Sequence, residues 1–223
     1  MIAEYLKQIQ NDGLQINVVY DIGAHSGSWT NYLKSTALPN SKFYLFEADS
    51  VHEYSLQKLG FPYFIGVLSS PEREFVEFYN TNSTDCNTGN SYYKENTVYY
   101  DNYLPIKVPC VTLESIVVNN NLPIPNLLKL DTQGSELDIL QGIESYIDNI
   151  DLIYLECPIV NYNLGAPTIQ DYIDYMRQKG FIPTDILEIH RYEHVLLQID
   201  IMFINCVTKE WLYGPTECCR PLD

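Results

Sequence analysis

Four acidic side chains stand at the ends of strand-like apolar runs, the positions at which α/β proteins place ligand-binding groups. They are Asp21, Glu47, Asp131 and Glu156. Ligands of open α/β sheets lie outside the carboxyl ends of the parallel strands, so we expect these carboxylates to face one crevice. A carboxylate there can attract a cation, accept hydrogen bonds from sugar hydroxyls or take up a proton.

The segment after Asp21 has the pattern of a tight turn that leads into a helix. Gly23 and Gly27 permit backbone conformations that other residues avoid, and a glycine lets a ligand lie against the main chain. A dinucleotide fingerprint has glycine at the position of Asp21, because a pyrophosphate sits over the helix N-terminus. A carboxylate at this position instead favours a cation. The ammonium and sulfonium of S-adenosylmethionine therefore suit the turn better than NAD does.

Glu47 strengthens the prediction of a nucleotide-like cofactor. It closes the next strand, about 20 residues beyond Gly27, where a carboxylate accepts hydrogen bonds from both ribose hydroxyls. The alternative is an ordinary α/β unit with a glycine-rich turn and an exposed glutamate at a strand end.

Strands and helical patterns alternate over most of the chain, which predicts one α/β domain over residues 1–223. Residues 1–16 form its N-terminal helical segment, and we expect their helix to cover one edge of the sheet. A third strand is predicted over 63–68. Near the end of the chain, residues 183–189 and 195–204 are predicted to pair as an antiparallel hairpin.

The alternation stops after the third strand, and residues 69–111 are predicted to be an insertion. Residues 74–79 have the pattern of a strand, so we expect an antiparallel excursion in place of a helix. The following stretch, 80–106, is rich in Asn, Thr, Ser and Tyr. Tyr92 and Tyr93 lie within it, and aromatic faces with hydroxyl edges suit a polyhydroxylated ligand. The alternative is a polar surface loop with a few packed tyrosines.

Composition argues against several classes of partner. The chain has 13 Lys and Arg against 29 Asp and Glu, a formal net charge of -16. This charge opposes binding to nucleic acid or to an anionic membrane surface. The sequence shows no signal peptide and no apolar stretch of roughly 20 residues, so we expect a cytoplasmic protein without a membrane span. None of the six cysteines has zinc-ligand spacing, and we expect no metal site.

Taken together, these segments resemble the FkbM family of S-adenosylmethionine-dependent methyltransferases. The similarity lies in residues 21–27, 46–48, 129–136 with Leu140 and Gly142, Glu156, and 198–203. It implies a Rossmann-like class I methyltransferase fold: a seven-stranded, mostly parallel sheet with helices on both faces and an antiparallel last strand. It also implies S-adenosylmethionine as cofactor and the oxygen of a sugar, glycan or small metabolite as acceptor. Two other hypotheses stay open, an NAD-dependent oxidoreductase and a binding protein that has lost catalysis.

The residues expected to form the site fall into three groups. Cofactor contacts are expected from Asp21, Gly23, Ala24, His25, Gly27, Glu47, Ala48, Val67 and Asp131. Acceptor contacts are expected from Tyr92, Tyr93 and Gln133, and the last of these replaces a glutamate of many family members. Candidates for the base are Asp131, Glu156 and His25. Asp131 is equally compatible with a cofactor contact, and Glu136 has a sufficient structural role in complementing a helix dipole.

Overall fold

The computed structural model describes residues 1–81 and 88–214. Part of the predicted Tyr- and Asn-rich loop, Cys86 and the adjacent pair Cys218 and Cys219 lie outside these residues. The described chain contains ten strands: β1 (Val18–Ile22), β2 (Lys42–Glu47), β3 (Tyr63–Ile65), β4 (Val67–Leu68), β5 (Phe75–Phe78), β6 (Ile106–Val111), β7 (Leu127–Leu130), β8 (Leu152–Pro158), β9 (Phe181–Tyr192) and β10 (Val195–Asn205).

Seven of these strands form the main sheet, in the order β3-β2-β1-β7-β8-β10-β9. All pair in parallel except β10, which is antiparallel to both β8 and β9. The predicted fold class is therefore confirmed, including the antiparallel last strand. The predicted C-terminal hairpin is also present, with longer strands and a turn at Glu193 and His194.

Helices cover both faces of the main sheet. They are α1 (Ile2–Asn11), α2 (Ser28–Thr36), α3 (Glu53–Leu59), α4 (Leu113–Asn120), α5 (Glu136–Gln141), α6 (Ile169–Gln178) and α7 (Cys206–Tyr213). Side chains alternate along β1, so Val19 joins the apolar cluster under α1 to α3, while Tyr20 joins the cluster under α4 to α6. The strand is consequently buried on both sides, and Asp21 is its one charged residue.

Two helices differ from the sequence-based predictions. Helix α1 packs on a face of the sheet instead of an edge, because Leu6 and Ile9 belong to the same cluster as Val19 and Leu127 in the central strands. Helix α7 has no counterpart in the predictions. Among the described residues, no helix is long and apolar enough to cross a membrane.

The predicted third strand is divided between two sheets. Gly66 has a φ of +152° and donates its N–H to the carbonyl of Glu47 at 2.9 Å, which ends β3. The chain then leaves the main sheet as β4, which pairs in parallel with β6, and β5 pairs antiparallel with β6. The predicted antiparallel excursion is thus part of a small second sheet in the order β4-β6-β5.

The turns that follow β1 and β7 touch backbone to backbone at the carboxyl edge of the main sheet. Gly23 and Ala24 both donate to the carbonyl of Phe46 at 3.0 Å, and Asp131 donates to the carbonyl of Ile22 at 3.1 Å. A Cβ added to Gly23 would lie 1.8 Å from the carbonyl oxygen of Asp131. This position therefore excludes every residue with a side chain, and the approach holds the two turns together.

Gly23→Ala tests this contact, and Gly60→Ala is its matched control. The φ values are +73° and +74°, but a Cβ at Gly60 meets nothing within 4 Å. Left-handed backbone strain alone costs about 1 to 2 kcal/mol, which we expect for Gly60→Ala. Gly23→Ala adds a clash with a carbonyl and should lower the free energy of unfolding by roughly twice that amount or more. Urea denaturation measures both, and equal losses would show that the two turns are not in tight contact.

Candidate active site

A cavity of about 430 Å³ lies at the carboxyl ends of the parallel strands. Several residues predicted from the sequence line it, namely Gly23, His25, Glu47, Ala48, Val67, Tyr92, Asp131, Gln133 and Glu156. Four other predicted site residues are not in its wall: Asp21, Ala24, Gly27 and Tyr93. The wall also includes His190 and Gln198, which sequence reasoning did not select.

Glu47 closes β2 and holds two turns by their backbone. Its Oε2 accepts a hydrogen bond from the N–H of His25 at 2.6 Å, and its Oε1 accepts one from the N–H of Asp49 at 2.8 Å. Burial raises the pKa of Glu47, and these two backbone donors oppose that rise. A carboxylate oxygen has two lone pairs, so each oxygen can accept a further hydrogen bond from a hydroxyl in the cavity.

His25 presents its backbone to Glu47 and its ring to a second histidine. Its φ of +50° places it in the left-handed region, as the tight turn requires. The imidazole rings of His25 and His52 lie with their centroids 3.8 Å apart. Burial, with a contribution from His25, lowers the pKa of His52, although Asp49 opposes this. The turn that carries His25 is therefore fixed from both sides.

Asp21 lies behind the glycine turn and is completely buried. Its Oδ1 is 3.0 Å from Nζ of Lys129, and its Oδ2 accepts a hydrogen bond from the hydroxyl of Thr30 at 2.7 Å. The same ammonium lies 3.4 Å from Asp131 and donates to the carbonyl of Gly23 at 3.2 Å. Burial alone would lower the pKa of Lys129, but Asp21 and Asp131 outweigh it and the pKa is raised.

Sequence reasoning quoted Lys129 only as part of a motif and gave it no role. Its signal was a single lysine within the otherwise apolar strand β7, where a charge requires a buried partner.

Three side chains at the other end of the cavity are connected by hydrogen bonds. Gln133 donates to Oε2 of Glu156 at 2.6 Å and to Oδ1 of Asp131 at 3.3 Å. Burial, followed by the charges of Asp131 and Asp200, raises the pKa of Glu156 well above its usual value. The site therefore places a partly exposed acidic side chain, Asp131, beside a buried one, Glu156.

Asp200 and His190 extend this group of side chains across the next two strands. Asp200 pairs with Glu156 in the register of β10 and β8, and it accepts a hydrogen bond from the hydroxyl of Tyr154 at 2.5 Å. Its Oδ1 lies 3.2 Å from Nε2 of His190 on β9. Burial raises the pKa of Asp200 to about 6. Sequence reasoning included Asp200 only within the 198–203 motif, without a role, and missed His190. The available signal for Asp200 was an acid within the apolar strand β10.

Glu136 organises the loop that carries Asp131 and Gln133. It is completely buried, and its Oε1 accepts hydrogen bonds from the N–H of Thr132 at 2.7 Å and of Gly134 at 3.3 Å. Its Oε2 accepts one from the hydroxyl of Tyr172 on α6. Burial raises the pKa of Glu136. Its contacts go beyond the helix-dipole role inferred from the sequence, because the carboxylate fixes the shape of the loop.

The described part of the Tyr-rich segment is attached to α5. The hydroxyls of Tyr92 and Tyr93 both donate to Oδ2 of Asp138 at 3.0 Å, and Arg73 lies 3.2 Å from the same oxygen. Burial is the main reason that the pKa of both tyrosines is raised. Tyr92 reaches the cavity wall, whereas Tyr93 packs beside it, so the two predicted acceptor residues have different positions.

The fold and the cavity can now be compared with known proteins. Residues 21–183 match the model of the methyltransferase FkbM domain. The chain belongs to the FkbM methyltransferase family. This FkbM chain therefore belongs to a family of S-adenosylmethionine-dependent methyltransferases and shares their fold. No curated protein matches the sequence.

Solved structures with the same fold are distant in sequence. A methyltransferase FkbM from Methylobacillus flagellatus KT is 13% identical, with a TM-score of 0.52 over 85% of this chain and 43% of that one. Magnesium protoporphyrin IX methyltransferase from Synechocystis PCC 6803, solved with S-adenosylhomocysteine, is 9% identical, with a TM-score of 0.51 over 92% and 80%. A putative O-methyltransferase from Klebsiella pneumoniae is 13% identical, with a TM-score of 0.50 over 92% and 80%. This chain therefore spans less than half the length of the first of them.

Glu136→Ala tests the role of the buried carboxylate, and Glu114→Ala is the control. Both glutamates lie in the first turn of a helix. Glu136→Ala leaves the donors of Thr132, Gly134 and Tyr172 without their partner, so we expect it to lower the free energy of unfolding by roughly 3 kcal/mol or more. Glu114→Ala removes a helix-dipole interaction of about 0.3 to 1 kcal/mol. If chemical denaturation shows similar losses of unfolding free energy in the two variants, Glu136 contributes only through the helix dipole.

Proposed function

We propose that this protein transfers a methyl group from S-adenosylmethionine to a hydroxyl of a sugar, glycan or small metabolite. The proposal depends on one observation: a single cavity has Glu47 at one end and the connected side chains of Asp131, Gln133 and Glu156 at the other. The first end suits the ribose of the cofactor, and the second suits a hydroxyl that must lose a proton. Among the described residues of the wall none is Lys or Arg, which disfavours phosphorylated acceptors.

The cofactor is placed along the edge of β1 and β2. Glu47 accepts hydrogen bonds from the ribose hydroxyls, Ala48 and Val67 contact the adenine side, and the backbone at Gly23 lies against the methionine portion. Asp21 acts from behind the turn, because its carboxylate is already paired with Lys129. Its role is to hold the turn in position for the cofactor, and direct contact with the cofactor falls to the residues of the cavity wall.

Direct transfer of the methyl group requires no covalent bond between the protein and the substrate. When bound, S-adenosylmethionine would supply a methyl group on a cationic sulfonium, and its transfer to a hydroxyl oxygen would exchange a C–S bond for a C–O bond and neutralise the charge on sulfur. The protein has to align the oxygen, methyl carbon and sulfur, exclude water and remove the hydroxyl proton.

Asp131 is the proposed proton acceptor because of its position. Its backbone lies against Gly23, which puts its carboxylate beside the methionine end of the cofactor. Its side chain is 40% exposed, so an acceptor in the cavity can reach it. Glu156 lies one strand further out and orients the acceptor, together with Gln133 and Tyr92.

Glu47→Ala tests the cofactor site. The loss of charge-assisted hydrogen bonds typically costs about 1.5 to 3 kcal/mol, so the affinity for S-adenosylhomocysteine should fall about 10- to 100-fold by calorimetry. Glu77→Ala, an exposed glutamate on β5, is the control and should retain the wild-type affinity. Unchanged affinity of the Glu47 variant, with its fold intact, would refute this placement of the ribose.

Asp131→Asn tests the proton acceptor. A general base contributes about 100- to 10,000-fold, so turnover should fall by that factor, while the affinity for S-adenosylhomocysteine stays within a few-fold. The measurement is methyl transfer to a panel of sugars and hydroxylated metabolites, with calorimetry on the same samples. Near-normal turnover would exclude Asp131 as the base, and a large loss of cofactor affinity would make it a cofactor contact instead.

A further inference from the structure

Three side chains with metal-binding atoms converge at the acceptor end of the cavity. Glu156 lies on β8, Asp200 on the antiparallel neighbour β10, and His190 on β9 beyond it. One ligand atom of each lies within 4.8 Å of those of the other two. Glu156 and His190 also line the cavity, so this group is accessible to a small molecule bound there.

Each carboxylate of the group is held by a neighbour through one oxygen. Gln133 donates to Oε2 of Glu156 at 2.6 Å, and the hydroxyl of Tyr154 donates to Oδ2 of Asp200 at 2.5 Å. The other oxygen of Asp200, Oδ1, lies 3.2 Å from Nε2 of His190. Hydrogen bonds of this kind orient metal ligands in proteins.

One oxygen of Glu156 has no hydrogen-bond donor among the described residues. Its side chain is in the cavity wall with 8% of the residue exposed, and its Oε1 has no hydrogen bond to any described residue. The nearby ammonium of Lys129 is already shared by Asp21 and Asp131, so this oxygen is open to a ligand in the cavity. A cation in the cavity would satisfy this oxygen.

We propose that Glu156, Asp200 and His190 bind one divalent transition-metal ion. Two carboxylates and an imidazole suit Mn²⁺ or Zn²⁺, whereas Mg²⁺ and Ca²⁺ favour oxygen ligands alone. Metal–ligand bonds of about 2.1 Å place neighbouring ligand atoms about 3 Å apart, close to the 3.2 Å between Asp200 and His190.

The ion would keep coordination positions open toward the cavity. On the proposed function, on which this step rests, an acceptor hydroxyl occupies one of them, and the ion stabilises the negative charge that develops on its oxygen. Asp131 then receives the proton. The site thus gives Glu156 a defined role in acceptor binding.

Metal binding is measured without any acceptor. The protein is stripped with EDTA, and Mn²⁺ is titrated in by calorimetry and by loss of the free-ion electron paramagnetic resonance signal. We expect one equivalent to bind and Zn²⁺ to compete for it. His190→Ala and Glu156→Gln should each weaken binding by more than about 10-fold. His190 is 40% exposed and its replacement should be tolerated by the fold, which keeps the test valid if Glu156→Gln is unstable.

Two controls separate ligation from general attraction to an acidic surface. Glu188→Gln removes an exposed charge opposite Asp200 in the register, and His194→Ala removes an exposed imidazole from the turn of the same hairpin. Both should keep the wild-type affinity within about 3-fold. No stoichiometric binding, or equal weakening in Glu188→Gln and Glu156→Gln, would overturn the proposal. Binding of S-adenosylhomocysteine in the same samples reports on the proposed function separately, so either idea can fail while the other stands.

Discussion

A buried ammonium shared by two carboxylates connects the central strands at the carboxyl edge of the sheet. Nζ of Lys129 on β7 lies 3.0 Å from Asp21 on β1 and 3.4 Å from Asp131 after β7. Removal of one partner from a buried ion pair typically costs about 3 to 5 kcal/mol, because the remaining charge has no compensation. The lysine also donates to the carbonyl of Gly23. The position of the glycine turn, and with it the floor of the cavity, therefore depends on this lysine.

The loop after β7 is also held by a buried charged group, the carboxylate of Glu136. Glu136 accepts from the loop backbone and from Tyr172, so a single carboxylate ties the loop to α6. Gln133, at a φ of +56°, is thereby placed to bridge Asp131 and Glu156. Its amide separates two carboxylates that would repel each other. The polar end of the cavity is thus a connected set of groups whose geometry is decided by the loop.

Described residues of the segment between β5 and β6, namely 88–92 and Glu95, line the cavity. Asn80 and Asn90 donate hydrogen bonds to Asp49, which follows β2. Tyr92 and Tyr93 donate hydrogen bonds to Asp138 on α5. The carboxylates of Asp49 and Asp138 therefore hold the described residues of this segment against two sides of the cavity.

Local patterns in the sequence were sufficient for the fold class and for part of the cavity wall. Period-two and helical spacing identify the strands and helices, and an acid after an apolar run identifies Glu47, Asp131 and Glu156 as residues of one crevice, because parallel strands end at the same edge. Their side chains do line one cavity. The turn glycines were equally recognisable, since the backbone conformation that they permit is a local property.

Only the tertiary structure decided which charges meet. The pairing of Asp21 with Lys129, behind the glycine turn and outside the cavity wall, depends on β7 lying beside β1. The convergence of His190 and Asp200 on Glu156 depends on the insertion of β10 between β8 and β9 and on its register. Residues far apart in the chain carry no local signal of such contacts, because strand order and register arise from packing of the whole sheet.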